Sequence, residues 1–340
     1  MKLAIALLLL CGLSGGQAIQ PSVKAAASEP EVASVSSSTG PLIYWTAGIS
    51  MVEDVRKAGV VELAVPATEA AQWQKAGFKA RGIAETDLAK LQRVAVPRLA
   101  GRGNVASATR RPWIDANGWV FTKYPTGKFI YDELPVGKAG LAAAEAYAYG
   151  VDALLKIGRD DLTAAARTIS ELRRLPVESL PVVADFTVVD NNSPQIDEVL
   201  NLLTRRNLLY RIVPAPIASY PINIRLGSKD YPEADAADPS AFAQSIRLKI
   251  GDENRSLRVY GSEIIIARLT GDGSRGRVHL LNYSGRQAEG LRVRIRGNYR
   301  SGTLTAPGLE GQSLEDQLIE KGIFEATIPK MGNYAVVDLR

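Results

Sequence analysis

Two rhythms divide this chain near Asp238. Before it, short apolar segments alternate with helix-patterned ones about every twenty residues; after it, strand-patterned segments follow one another with only turns between. Alternation of the first kind builds βα units around a parallel sheet, and a run of the second kind builds an antiparallel sandwich. The early strand candidates are LIYW (42–45), VVELAV (60–65), FKARGI (78–83), RVAVP (93–97), WVFTKY (119–124), FIYDELP (129–135) and VDALLKI (151–157). Helices are expected from Ser50 to 57, after a Thr68 cap, and over 85–91, 138–149 and 161–175, with Gly59, Gly77 and Gly150 at stop positions.

The segment 181–214 is the clearest single unit: strand, polar turn, helix, strand. Ser193 is a helix cap and Pro194 takes the first helical position, where its missing N–H costs nothing. Asp197 and Glu198 in the first turn and Arg205 and Arg206 in the last match the helix dipole. Residues 229–240 read as a linker. From 241 on, the strands are IRLKI, LRVY, EIIIARL, RVHLLNY, LRVRIRG, IFEATIP and YAVVDL. Leu291, Val293 and Ile295 alternate with Arg292, Arg294 and Arg296, one face for a core and one for solvent. That arginine face is either a solvated surface that blunts edge pairing or a patch for acidic glycans or the anionic cell surface.

The N-terminus carries a secretory pattern. Lys2 precedes an apolar run, and Gly16-Gln17-Ala18 is a small-x-small cleavage site, so residues 1–18 are expected to leave as a signal peptide. The run is too short to span a bilayer. Cys11 follows Leu10 where a lipoprotein signal needs a small residue, which argues against a lipid anchor. Residues 19–40 are rich in Ser, Ala and Pro and read as a disordered linker. With Cys11 gone, the mature chain has no cysteine and needs no disulfide. The net charge of +5 is scattered among acids, which speaks for a solvated surface and against nucleic-acid binding.

Several chemistries are set aside. The one histidine, His279, lies in a strand pattern without a nucleophile elbow, and reads as a hydrogen-bonded structural residue. One histidine and no mature cysteine make a zinc site improbable, and no phosphate-binding or dinucleotide loop is present, so no metal or cofactor is expected. Carboxylates and aromatics remain. On a parallel α/β scaffold, reacting groups sit after the C-terminal ends of strands. Asp115, the Asp132-Glu133 pair and Asp190 hold such positions, and Asp115, Glu133 and Asp190 are taken as the catalytic candidates. Each has a plainer alternative as a solvated or capping carboxylate. Glu145, in mid-helix, is expected to face solvent or pair locally. Trp113 and Trp119 flank Asp115, Asn117 and Gly118, and with Tyr124 and Tyr131 they are candidate sugar contacts, because indole faces stack on sugar rings while neighbouring polar groups bind hydroxyls. Core packing is the alternative, and the stronger one for Trp45 and Trp73.

The stretches PWIDANGW, FIYDELPVGKAGLAAAEAYAYGVDALLKI and NLLTRRNLLYRIV, and the tail from RVHLLNYSGR to MGNYAVVDL, resemble secreted bacterial glycoside-hydrolase-like proteins. The resemblance implies a parallel βα-barrel-like domain (41–228) with a small βαβ piece at 181–214, followed by a C-terminal antiparallel β-sandwich (241–340). It implies a secreted carbohydrate-active protein, a glycosidase acting through paired carboxylates or a non-catalytic glycan-binding or envelope scaffold protein, with an oligo- or polysaccharide as partner. It carries no catalytic residue by motif. An eight-stranded barrel takes about 250 residues, with about 200 a practical minimum. The stretch 41–214 is shorter, so either the barrel is incomplete or 181–214 supplies its last units.

Overall fold

The computed structural model describes residues 40–100, 113–177, 179–262 and 264–340. The expected signal segment with Cys11 and Ala18, the linker through residue 39 and residues 101–112 lie outside the described residues. Along the chain come β1 (Pro41–Tyr44), β2 (Glu62–Pro66), β3 (Lys79–Ile83) and β4 (Gln92–Arg93), a hairpin of β5 (Arg98–Ala100) and β6 (Trp113–Asp115), then β7 (Lys128–Tyr131) and β8 (Asp152–Lys156). Between and after them run α1 (Val52–Lys57), α2 (Ala70–Lys75), α3 (Glu85–Leu88), α4 (Gly118–Lys123), α5 (Ala139–Tyr149) and α6 (Leu162–Arg174).

Leaving out the hairpin, these strands form one wholly parallel sheet in the order β3-β2-β1-β8-β7-β4. That is the order of a ring cut between β3 and β4. Its inner face is apolar: Leu42, Ala64, Ile83, Ile130 and Leu154 meet there, with Leu88 and Leu91 of the α3 segment packed against them. Its outer face, with Ile43, Leu63, Val65, Phe129 and Leu155, packs against the helices. Of the two alternatives left by chain length, the barrel is thus an incomplete one.

One expected strand of this region is a helix. WVFTKY has β-type composition, yet 118–123 is α4, because Val120 and Phe121 bury themselves there and Phe121 meets Phe129 edge-on at 4.7 Å. Tertiary packing overrides a weak local preference.

Segment 181–214 forms its own parallel sheet. It contains β9 (Phe186–Val189), α7 (Pro194–Arg205) and β10 (Tyr210–Val213), joined by β11 (Asn223–Ile224) in the order β10-β9-β11. Ser193 caps α7 as expected, its side chain accepting from the Ile196 N–H at 3.2 Å. The expected strand IRLKI is instead the end of α8 (Pro239–Ile250). Asp238 caps that helix, Pro239 opens it, and Phe242, Ala243, Ile246 and Ile250 pack into the core of the three-stranded sheet.

The remaining strands are β12 (Leu257–Tyr260), β13 (Ile265–Gly271), β14 (Gly276–Asn282), β15 (Ala288–Arg296), β16 (Gly302–Thr305), β17 (Glu315–Glu320), β18 (Ile323–Met331) and β19 (Tyr334–Leu339). They make two antiparallel sheets, β12-β15-β18-β17 and β13-β14-β19-β16, with a common core between them. The arginine face of β15 is tied to acids: Arg292 donates to Glu325 at 2.5 Å and Arg294 to Glu253 at 2.8 Å.

The second sheet is buried on both sides. Ile265, Ala267, Val278 and Val337 face the sandwich core, whereas Ile266, Leu281, Tyr283, Tyr334 and Val336 share a core with α5 and the βα sheet. The helix α5 therefore lies between two sheets, which explains its alanine-rich composition: it is apolar on nearly every side and small enough for close approach. Further ties join the sandwich to the βαβ unit. Val183 N–H donates to Leu269 at 3.0 Å, and the buried Asn207 side chain bonds both Ile265 and Ala267 of β13.

Candidate active site at the C-terminal rim

Alternation along a strand puts every second side chain on one face. Leu42 and Leu154 face the inside of the sheet, so Tyr44 and Lys156, register partners at the strand ends, face inward one layer higher. Ile130 also faces inward, and Asp132 comes two residues later. Arg93 is the register partner of Ile130. Above an apolar layer the sheet thus carries a polar one, at the C-terminal edge where βα scaffolds place their chemistry.

The polar layer is connected. Lys156 Nζ donates to Asp132 Oδ1 at 2.9 Å, and Arg93 Nε stands 3.2 Å from Asp132 Oδ2. Tyr44 is nearly buried, and burial pushes its phenol pKa up; Lys156 opposes the shift, while Glu69, Asp132 and Glu85 reinforce it. Glu69 ends the turn Ala67–Glu69 after β2 and accepts from Trp73 Nε1 at 3.2 Å; Glu85 opens α3 after β3. Besides Tyr44 of β1, the rim carries Lys156 at the end of β8, Asp132 just after β7, and Glu69 and Glu85 in the segments after β2 and β3, all of whose charges act on Tyr44, while Arg93 of β4 joins through Asp132. The opposite mouth holds a pocket of about 270 Å³ lined by Leu42, Leu154, Arg81, Lys90 and Lys128.

The residues singled out from sequence fall into three places. Asp115 lies on the hairpin that follows β4, accepting from Arg98 Nε at 2.9 Å and Trp113 Nε1 at 3.1 Å. Glu133 is exposed beside Asp132, so both belong to the rim edge. Asp190 is 3.3 Å from Lys123 Nζ, whose side chain is only 3% exposed and also reaches Asp197 at 2.7 Å. Because α4 connects parallel strands, it runs back across the sheet, and Lys123 at its end puts Asp190 and Tyr124 toward the other edge. Among the described residues, no hydrogen bond or ion pair joins Asp115, Glu133 and Asp190 to each other.

The aromatic candidates divide likewise. Trp113 and Trp119 are half-buried, and the Arg205 guanidinium covers one face of Trp113 at 4.2 Å. Trp45 and Trp73 are core residues. Asn117 and Tyr131 are buried beneath the rim, and both donate to Glu145. The expectation for Glu145 is corrected: it is wholly buried, because α5 has no solvent face at that point. His279 is buried too, with Nδ1 2.6 Å from the Tyr334 hydroxyl.

No protein-family model matches the chain, and no curated protein does. Among solved structures it is similar to α-L-fucosidase isoenzyme 2 from Paenibacillus thiaminolyticus, with a TM-score of 0.52 and 9% identity over 81% of this chain and 71% of that one. The likeness is one of fold. A rhamnosidase from Novosphingobium sp. PP1Y (TM-score 0.44, 12% identity, 80% of this chain and 38% of that one) and a β-galactosidase from Rahnella sp. R3 (TM-score 0.40, 9% identity, 82% and 63%) are more distant. The parallel βα domain with a following sandwich, expected from the sequence, is thus an architecture found in a glycosidase. Among the described residues no helix is long and apolar enough to cross a membrane, and no group of three or more His, Cys, Asp or Glu side chains is placed to hold a metal ion.

Glu69, Glu85, Arg93 and Lys156 were not singled out from the sequence, and of the Asp132-Glu133 pair it is Asp132 that the cations engage. A usable signal existed. Leu42-x-Tyr44, Ile130-x-Asp132 and Leu154-x-Lys156 repeat one pattern, an apolar residue followed two places later by a polar one at the strand end.

Proposed function

We propose that this is an exported carbohydrate-active protein that binds a saccharide at the C-terminal rim and cleaves a glycosidic bond there. The observation that carries the reading is the polar cluster at the rim: Tyr44, with Lys156 and Arg93 on Asp132, and Glu69 and Glu85 acting on Tyr44. Such a cluster offers the mixed donors and acceptors that sugar hydroxyls need. Glycoside cleavage needs one carboxyl as acid and a second as nucleophile or base. Asp132, bonded to Lys156 and Arg93 at the strand ends, is placed for the second role. Glu69 and Glu85, whose charges act on Tyr44, are candidates for the first, and Asp115 and Glu133 are the others. Trp113 and Trp119 offer stacking surface on the approach, while Asn117 and Tyr131 act from beneath. Asp190 has no part in this reading. The secretory pattern of residues 1–18 supports export, and the fucosidase fold supports the substrate class.

A second reading, a glycan-binding protein without catalysis, is favoured by one feature: the best-placed carboxylate is already engaged by Arg93 and Lys156. Glycan-array binding of the mature protein, followed by reducing-end detection on the hits, separates the two. The expected result is binding with release of reducing ends, lost in Tyr44→Phe and Asp132→Asn while the thermal midpoint moves by only a few degrees. Binding without cleavage selects the second reading. Failure to bind any saccharide removes both.

A further inference from the structure

We infer that Glu145 is a positioning residue through which the C-terminal sandwich holds the rim of the βα sheet in place. Its Oε1 accepts from the Asn117 backbone N–H at 2.7 Å and from the Tyr283 hydroxyl at 2.6 Å. Its Oε2 accepts from Asn117 Nδ2 and from the Tyr131 hydroxyl, each at 2.7 Å. Four donors fill the acceptor sites of an ionised carboxylate, and none of them is a cation. Burial raises the pKa of this carboxyl, and the four hydrogen bonds oppose that shift.

The four donors come from three different parts of the molecule. Tyr131 ends β7 and is followed directly by Asp132. Asn117 stands at the start of α4 and clasps the base of the hairpin, its side chain donating to the Ala95 carbonyl at 2.9 Å and accepting from the Ala95 N–H at 3.0 Å. Tyr283 follows β14 of the sandwich, and its own carbonyl accepts from the Leu99 N–H of β5 at 3.1 Å. The sandwich therefore reaches β7 through Glu145, and reaches the hairpin both through Glu145 and through Leu99.

Stability alone does not call for this arrangement. Burying an ionised carboxylate costs several kcal/mol, and apolar packing of the same volume is often as stable. What four directed bonds supply, and packing does not, is a fixed orientation for the groups that make them. Here those groups carry Asp132 and the base of the Asp115 hairpin.

Hydrogen–deuterium exchange on the full mature chain tests this, read at segments 94–100, 113–117 and 131–133. Tyr283→Phe removes one donor hydroxyl, and Glu145→Gln replaces the carboxylate by an amide that cannot accept from all four. Val336→Ala is the control, since it loosens the same contact between α5 and the sandwich without touching the network. Both network variants are expected to raise exchange in the three segments by about 10- to 100-fold, the loss of a buried hydrogen bond to a charged group. Val336→Ala is expected to lower the melting point while leaving those segments protected. If Glu145→Gln does not fold, Tyr283→Phe decides. The inference is overturned if Val336→Ala opens the rim as much as Tyr283→Phe does, or if Tyr283→Phe leaves exchange unchanged. The inference rests on the rim reading only for a last readout: both network variants should weaken saccharide binding. If the wild type binds no saccharide, the rim reading fails and the exchange result stands by itself.

Discussion

His279 is the sole histidine of the chain, which makes its titration separable. Burial, then the charges of Arg268 and Arg277, hold its pKa well below the usual imidazole value. The unfolded chain takes up this proton near pH 6.5, whereas the folded protein does not until lower pH. Between those values the unfolded state binds more protons, so stability rises with pH and is lost on acidification through about 6.5, by up to roughly 1.4 kcal/mol per unit. Urea unfolding at pH 7.5, 6.5 and 5.5 should show the loss, and His279→Gln, which keeps a partner for Tyr334, should flatten it. The difference between the two proteins isolates the histidine from Glu145, whose raised pKa acts with the opposite sign from about pH 4.3 upward. A second residue-scale expectation concerns Gly118, where a methyl group would run into the Tyr149 phenol. Gly118→Ala should cost about 1–3 kcal/mol in urea unfolding, with partial recovery in the Gly118→Ala, Tyr149→Phe pair. Neither glycine nor tyrosine announces that contact in sequence, because it joins the start of one helix to the end of the next.

At the scale of elements, most of the α/β part was legible. Ser193-Pro194 before an apolar stripe specifies α7, and Gly150, in a left-handed turn at φ 66°, ends α5 where expected. The two misreadings have different causes. α4 has strand-like composition and is held helical by Phe121 against Phe129, a contact outside its own segment. α8 carried a readable start, Asp238-Pro239, and a helical spacing from Phe242 to Ile250 that short apolar runs obscure. The alanines of α5 report on the element scale too: Ala142, Ala143 and Ala144 have no exposed surface. Ala143→Leu should therefore destabilise by about 1–3 kcal/mol despite better helix-forming chemistry than most residues, measured as a shift in urea midpoint.

At the scale of the molecule, the order of a βα part and a sandwich could be read from rhythm, whereas the rim was legible only as a repeated strand-end pattern and not as a set of neighbours. Tyr44, Arg93, Asp132 and Lys156 become neighbours only through strand pairing across tens of residues, and Glu145 meets Tyr283 across 138 positions. The sandwich is expected to be part of the fold of what precedes it. A chain ending at residue 250 leaves the α5 face bare of Ile266, Leu281 and Val336, and should keep far-ultraviolet helix signal, lose near-ultraviolet tertiary signal and bind apolar dyes. The cut between β3 and β4 has its own mechanical meaning. A closed hoop of strands resists any change in girth because every member is held from both sides, but this sheet is a split ring with two free ends. Its natural deformation is to spread or tighten along the slit, and the α3 segment, which joins the two ends in sequence and packs Leu88 and Leu91 against the inner face, is placed to limit that movement.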